Sequence, residues 1–241
     1  MKKYYLLPLL LLLAASCEEW LDVKPRAQIE ADVLYQREAG FKDVLYTAYI
    51  NMISPEMYGR EMTYGLVDVL GNVYPSVGTA EYAEAHAGNY TYSFLETMIN
   101  AIWQTGYNTI ANLNSLVEHL RVADRSLFSG DNYNVITGEA LGLRAFLHFD
   151  LLRLFAPSFK AAPDALAIPY VTRYGHEITP DYTVAAVLDS ILVDLNEAAA
   201  LLHAADPLVT GRVITTLTDD GYLLDRHFRL NYHAVKATMA R

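Results

Sequence analysis

The chain has 241 residues, of which 53% are hydrophobic and 19% are charged. This length supports one large or two small domains, and the composition excludes a disordered or collagen-like chain. The formal net charge of −10 argues against nucleic acid as a partner, because proteins that bind nucleic acid present basic surfaces. A single cysteine excludes a disulfide framework and a thiolate zinc site.

The N-terminus is typical of a secretory signal. Two lysines precede an apolar run over 4–15, which is too short to span a membrane because a spanning helix needs roughly 20 residues. The small residues directly before Cys17 resemble a bacterial lipobox, where the signal is cleaved and the cysteine is lipidated. We therefore predict a lipoprotein signal peptide over 1–16, a lipid anchor on Cys17 and a tether over 17–29. The alternative is an ordinary secretory signal with a chance cysteine.

Two acidic residues, Glu18 and Glu19, follow the cysteine directly. Acidic residues at this place resemble the surface-export signal of lipoproteins in some Gram-negative bacteria. We therefore expect the protein to be exposed on the cell surface, attached to the membrane through the lipid alone. The alternative is that the two glutamates are part of a solvated tether.

Beyond the tether, apolar residues recur with helical spacing, and no segment alternates as a strand does. The spacing predicts five helices, over 34–52, 101–120, 136–155 and 184–202, with a fifth from about 228 onward. Thr183 or Thr179 is expected to cap the fourth helix. Small residues on the apolar stripes allow close helix packing, which is typical of tetratricopeptide-type repeats. We predict an all-α, repeat-like fold.

The segment from Ser54 to Asn100 is far longer than a usual helix connection, and such segments are commonly functional. It is rich in tyrosine, and tyrosine offers an apolar ring with a polar tip. Sugar rings stack on aromatic faces and their hydroxyls pair with Asp and Asn side chains. We predict an irregular insertion that binds glycan through Asp68, Asn72, Tyr74, Tyr82 and Tyr90. The alternative is that these tyrosines only fix the insertion to the helices.

Several motifs resemble the SusD/RagB family of outer-membrane nutrient-binding lipoproteins. The most specific is the block Gly138–Phe155, which contains Gly-Glu-Ala-Leu-Gly-Leu-Arg-Ala-Phe. The others follow in the family's order, and they are Cys17–Pro25, Trp103–Asn112, Ile168–Tyr170, Ile191–Ala198 and Asn231–Arg241.

The resemblance implies an α-helical, tetratricopeptide-like lipoprotein at the surface of the outer membrane. Such proteins form a lid on a TonB-dependent β-barrel transporter (SusC-like) and capture oligosaccharides, or peptides in some branches. They are binding proteins and not enzymes, so no catalytic residue, metal or cofactor is expected. Members are usually about twice this length, so 30–241 is expected to correspond to the N-terminal half, truncated relative to the family.

The residues agree with this interpretation. The seven histidines are scattered, and neither His-Glu-x-x-His nor Gly-x-Ser-x-Gly occurs. Within the Gly138–Phe155 block, Asp150 and Arg153 are spaced to pair on a helix surface. The occurrence of Glu139, Arg144 and His148 in a motif that resembles the family's implies buried polar contacts between helices. Two alternatives remain open, namely a lipid-anchored glycoside hydrolase and a helical scaffold that binds no ligand.

Overall fold

Helices account for most of residues 33–218 and 221–241, which are the residues that this computed structural model describes. The predicted signal peptide over 1–16, Cys17 and the predicted tether over 17–29 all lie outside the described residues. The helices are, in chain order, α1 Glu38–Met52, α2 Leu66–Leu70, α3 Ala80–His86, α4 Ser93–Val122, α5 Asn132–Phe155, α6 Val184–Ala205, α7 Pro207–Thr210 and α8 Tyr232–Ala240. Short 3₁₀ turns occupy Arg125–Leu127 and Arg226–Phe228.

Each long helix packs against the next long helix in the chain. The principal contacts join α1 to α4, α4 to α5, α5 to α6, and α6 to α8. Packing between successive neighbours is the arrangement of helical repeats, in which each unit buries its apolar face on the next. Within the described ranges β-structure is limited to one isolated bridge between Leu166 and Thr183. The predicted all-α, repeat-like fold is confirmed.

The apolar stripe predicted for the second long helix is buried in α4. Gly106 and the five apolar side chains of the stripe are all buried, and these side chains are Ile102, Ile110, Leu113, Val117 and Leu120. Gly106 allows a close approach of α4 to α5, because a Cβ there would lie 3.2 Å from the Leu151 side chain. A helix-period stripe therefore positions α4 against its neighbours as expected.

Helix α6 begins at Val184 as predicted, but the starts of the other long helices differ from the predicted ones. Helix α4 begins at Ser93 and not near 101, and the residue before it, Tyr92, makes no side-chain capping bond that would mark the start. Thr183 caps α6, accepting a bond from the amide of Ala186 at 3.2 Å. Asn231 caps α8 by accepting from the Ala234 amide at 3.0 Å, so this helix begins after the 3₁₀ turn and not at 228.

The predicted insertion lies between α1 and α4, and it contains more helix than expected. The short helices α2 and α3 lie within it, and its last residues, 93–100, belong to α4. Tyr58 attaches it to α5, because the Tyr58 hydroxyl donates to the Asp150 carboxylate at 3.1 Å and its ring packs on Phe146. For this tyrosine the role of fixing the insertion to the helices is therefore confirmed.

A buried ion pair joins three long helices. Arg144 of α5 donates through Nε and Nη2 to both carboxylate oxygens of Asp194 on α6, each at 2.7 Å. Its Nη1 donates to the side-chain oxygen of Asn114 on α4 at 3.0 Å. Arg144 and Asp194 are 2% and 5% exposed, so this pair depends on complete hydrogen bonding. The predicted buried contact of Arg144 between helices is confirmed.

A second buried network surrounds Glu139 of α5. Its carboxylate accepts from Arg226 of the second 3₁₀ turn, and from the hydroxyl of Tyr49 on α1 at 2.6 Å. Arg226 also donates to Asp206, with 2.9 Å between Nη2 and Oδ2. The predicted pair of Asp150, which is buried, and Arg153, which is exposed, forms at 3.3 Å. The polar residues of the Gly138–Phe155 block thus connect helices.

Candidate functional site

A buried carboxylate organises the insertion. Glu61 is 1% exposed, and its oxygens accept from Arg60 Nε at 2.6 Å, from the Leu66 amide at 3.0 Å and from the Tyr82 hydroxyl at 3.0 and 3.1 Å. Three donors satisfy a buried carboxylate that would otherwise be unstable. Glu61 therefore joins the turns before α2 to helix α3.

The backbone around Glu61 requires glycine at position 65. A Cβ on Gly65 would lie 2.6 Å from a carboxylate oxygen of Glu61 and 2.9 Å from its Cα. These separations are closer than real Cβ atoms approach, so a larger residue would displace the carboxylate from Tyr82 and the Leu66 amide. The sequence Glu61 to Gly65 thus fixes the shape of this part of the insertion.

A cleft of about 490 Å³ opens beside this carboxylate, and we call it the Tyr82 cleft. Its walls combine aromatic and flexible apolar groups with charged groups, and they include Arg60, Glu61, Glu81, Tyr82, Phe94 and Met98. Phe94 is 63% exposed, so its ring face is open to solvent at the wall of the cleft. The cleft offers a ring face and hydrogen-bonding groups side by side.

The protonation states of the cleft follow from its contacts. Burial and the hydrogen bond to Glu61 raise the pKa of Tyr82 to about 12, so the phenol remains a donor at neutral pH. Hydrogen bonds from its own backbone amide and from Thr79 lower the pKa of Glu81, so this group is ionised. The hydrogen bond and charge of Glu61 raise the pKa of Arg60. The cleft therefore presents a charged guanidinium and a charged carboxylate beside the Tyr82 ring, whose hydroxyl proton is donated to Glu61.

The five predicted ligand residues all lie in the described insertion, but they do not form one site. Tyr82 lines the cleft, while the Tyr74 hydroxyl donates to the Tyr64 carbonyl at 2.5 Å and lies 3.5 Å from the Asp68 carboxylate. Asn72 occupies a left-handed turn with φ of 54°. Tyr90 is 54% exposed, near the start of α4. The structure thus brings Asp68 and Tyr74 together, but neither residue lines the Tyr82 cleft.

Sequence reasoning missed most of the lining. Arg60 and Glu61 are adjacent charges in a turn-rich segment, and nothing in their spacing indicates that one of them is buried. Phe94 and Met98 were placed in the irregular insertion, whereas they lie on one face of the first turns of α4. Had the start of α4 been predicted at Ser93, the i, i+4 spacing of Phe94 and Met98 would have placed them on one helix face.

Within 33–218 and 221–241, no three His, Cys, Asp or Glu side chains cluster as a metal site would require. In the same residues, no helix has both the length and the hydrophobicity needed to cross a membrane.

Comparison with known proteins identifies the family. Residues 19–210 match the profile of the SusD-like family described as starch-binding and associating with the outer membrane. The chain belongs to this SusD-like family. No curated protein matched the sequence.

Solved structures resemble this SusD-like chain across most of its length. A SusD-like carbohydrate binding protein from Bacteroides vulgatus is 19% identical with a TM-score of 0.59, covering 83% of this chain and 39% of its own. A SusD superfamily protein from Bacteroides thetaiotaomicron is 20% identical with a TM-score of 0.60, covering 85% and 42%. One from Bacteroides fragilis is 18% identical with a TM-score of 0.55, covering 76% and 51%.

These likenesses establish the tetratricopeptide-like SusD fold for the chain. The chain spans between 39% and 51% of the length of these solved relatives. The resemblance to the family is therefore confirmed over 19–210, and the partial coverage agrees with the expected correspondence to an N-terminal half.

Proposed function

We propose that this SusD-like chain is a cell-surface glycan-binding lipoprotein that acts with a TonB-dependent β-barrel transporter (SusC-like) in polysaccharide uptake. The observation that supports it most is the Tyr82 cleft, where aromatic faces lie beside fixed hydrogen-bonding groups. The family description, starch-binding and associating with the outer membrane, supports the same ligand class and location.

The cleft suits a sugar for a physical reason. A pyranose ring has an apolar face of C–H groups and a rim of hydroxyls, so it needs an aromatic platform and donors or acceptors at its edge. Phe94 and Tyr82 are the platforms in this proposal, and Arg60 and Glu81 contact the hydroxyls. Arg60 is oriented by its bond to Glu61, so less conformational entropy is lost when a ligand binds.

The other predicted residues extend this site along the insertion. Asp68 and Tyr74 lie together, and the exposed ring of Tyr90 offers a further stacking face. We assign Asp68, Asn72, Tyr74 and Tyr90 to contacts with outer sugars of a longer chain, since a polysaccharide exceeds a cleft of about 490 Å³.

Calorimetry with maltoheptaose, xylohexaose and mannohexaose tests the ligand proposal. We expect Tyr82→Ala to weaken binding by about 1 kcal/mol or more, and Tyr74→Ala or Tyr90→Ala by less. Phe228→Ala is the matched control, because this aromatic side chain is 80% exposed and lines no cleft described above. Unchanged affinity in all three tyrosine variants, with helicity intact by circular dichroism, would favour the scaffold alternative. Binding of peptides in place of sugars would favour the peptide-binding branch.

The anchor is tested separately. Cys17→Ala removes the thiol that lipidation requires, so we expect an unprocessed or released protein, and acylation is read by incorporation of radiolabelled palmitate. Recovery of the variant in the outer-membrane fraction, with acylation unchanged, would contradict the lipoprotein assignment. Co-purification of the parent with a TonB-dependent barrel from outer membranes tests the partnership.

The proposed role is binding without catalysis. The Bacteroides vulgatus relative is described as a carbohydrate binding protein. Release of reducing ends from a polysaccharide by the parent, abolished in Glu81→Gln, would favour the glycoside hydrolase alternative instead.

A further inference from the structure

A second cleft lies on the connection between α5 and α6. It has a volume of about 650 Å³, larger than the Tyr82 cleft, and shares none of that cleft's lining residues. Its walls come from the segment 170–182 and from Glu118 of α4. We call it the connection cleft. Its volume falls in the range of small-molecule sites, roughly 300–1,000 Å³.

Buried side chains of the long helices fix the backbone at the base of this cleft. Asn114 of α4 donates to the Val171 carbonyl at 2.9 Å and lies 3.4 Å from the Arg173 carbonyl. Glu118 accepts from the Tyr174 amide at 2.9 Å. Tyr107 donates to the Pro169 carbonyl at 2.9 Å. Helix α4 alone therefore holds the segment at four backbone groups.

Helix α5 holds the same segment through His148. The Val171 amide donates to His148 Nε2 at 3.0 Å, so Nδ1 must bear the proton and donate to the Arg144 carbonyl at 2.9 Å. Below this, the Tyr170 hydroxyl donates to Asp194 at 2.5 Å, which joins the segment to the buried ion pair. Buried polar networks of this kind impose a single conformation.

The residues held in place by these hydrogen bonds are exposed to solvent. All of 172–178 are exposed, although Asn114 and His148 beneath them are fully buried. Packing of the helices does not require these exposed residues, so the buried bonds stabilise the shape of a surface. A preformed surface of this kind lowers the entropy lost when a ligand binds.

The chemistry of the surface indicates the ligand class. Tyr174 and Tyr182 offer rings that are 56% and 39% exposed, and Thr172 and Thr179 add hydroxyls. Charges of both signs are present, with Arg173 against Glu118 and Glu177, so the lining does not favour a polyanion. Aromatic rings among mixed donors and acceptors suit an uncharged polyol.

We propose that the connection cleft is a second binding site for neutral oligosaccharide, held open by Asn114 and His148. It shares only its ligand class with the proposed function, and it involves different residues. Two separate sites would let one molecule engage two stretches of the same polysaccharide, which raises avidity without any new contact.

Hydrogen exchange on the purified protein with saturating maltoheptaose, xylohexaose or mannohexaose distinguishes the two sites. We expect protection of 171–178 as well as of the insertion, and Tyr174→Ala should weaken the connection-cleft event at least about fivefold while leaving protection of the insertion unchanged. Protection of the insertion alone overturns the second site and leaves the proposed function intact. Protection of 171–178 alone supports the second site and overturns the Tyr82 assignment. Absence of protection at both, with all three sugars, overturns both proposals.

Two variants at His148 test whether the site depends on the fixed backbone. His148→Gln retains an acceptor for the Val171 amide, and His148→Phe has none. We expect His148→Phe to weaken sugar binding at the connection cleft severalfold and to speed amide exchange at 171–174, and His148→Gln to restore both. Equal sugar affinity in the two variants, despite faster exchange in His148→Phe, overturns the positioning role. Protection of 171–178 by a mixed peptide digest, and not by the sugars, overturns the ligand class.

Discussion

The insertion between α1 and α4 and the connection between α5 and α6 are both largely irregular, but they are held in different ways. In the insertion, outside the buried bonds to Glu61, exposed tyrosine hydroxyls donate to nearby carbonyls, as from Tyr64 to Gly59 at 2.7 Å. In the connection, side chains from the buried faces of α4 and α5 bond to backbone that is distant in sequence, 57 positions away from Asn114 to Val171 and 23 from His148 to Val171.

The difference predicts how each segment behaves. Exposed hydrogen bonds exchange with water and stabilise little, whereas buried ones leave an unsatisfied group when broken. The connection should therefore keep its shape until the whole helical unit unfolds, and the exposed parts of the insertion, outside the bonds to buried Glu61, should open locally at lower free energy. A segment that opens locally can adapt to a ligand, and a segment that is fixed can only accept one that already fits.

The largest expected effect comes from breaking the ion pair beneath the connection. Arg144→Met leaves the Asp194 carboxylate buried without its partner, which should lower the free energy of unfolding by about 3–5 kcal/mol in chemical denaturation. The double variant with Asp194→Leu is the control, and it should recover part of the loss because no unpaired charge remains. A loss below about 1 kcal/mol in the single variant would show that the pair does not stabilise this unit.

The second-largest effect is expected from lowering the pH, because His148 lies in the same buried region. Burial lowers the pKa of His148 to about 4, compared with about 6.5 in the unfolded chain. Between these values the unfolded chain binds more protons, so stability is complete above about pH 6.5 and falls as the pH decreases to about 4, by about 3 kcal/mol. His148→Gln should flatten this part of the profile, whatever its own stability at neutral pH.

The Asp206 carboxyl affects stability at lower pH, and its contribution must be distinguished from that of His148. Burial opposes ionisation of Asp206, but Arg226 outweighs it and lowers the pKa of this carboxyl below its ordinary value of 3.8. Its contribution is present above that value and is lost only as the pH falls further. A parent profile that is flat between pH 6.5 and 4 would therefore contradict the neutral, buried state of His148.

The sequence predicted the helical core better than the site. The stripe of α4 and the cap at Thr183 follow from local rules of period and capping, which a sequence shows directly. The polar residues of the Gly138–Phe155 block were expected to be buried, but the partner of Arg144 lies fifty positions away at Asp194. Local spacing cannot identify a partner that only the packing of α5 on α6 brings near.

The site could be predicted only in part for a related reason. Tyrosine content indicated the insertion, and Tyr82 does line a cleft. The cleft's floor depends on Glu61, which is buried because Leu66, Arg60 and Tyr82 all donate to it. The connection cleft left no signal of its own, because Tyr174 and Tyr182 are ordinary in sequence and are fixed by bonds from distant helices.

The smallest effects give the most direct comparison, because the same chemical change can be made in both regions. Tyr170→Phe and Tyr74→Phe each remove one hydroxyl and keep the ring. The Tyr170 hydroxyl is bonded to the buried Asp194 carboxylate, so its loss should lower the free energy of unfolding by about 1.5–3 kcal/mol.

The Tyr74 hydroxyl lies in the insertion beside solvent, where water can replace its bond to the Tyr64 carbonyl. We expect Tyr74→Phe to unfold with the parent's midpoint in denaturant, while amide exchange near 64–74 becomes faster. If instead the two variants lose equal stability, the insertion is as firmly fixed as the connection. A hydroxyl that supports only local shape cannot change the midpoint of global unfolding. An equal loss would therefore show that the Tyr82 cleft and the connection cleft do not differ in rigidity as their hydrogen bonds indicate.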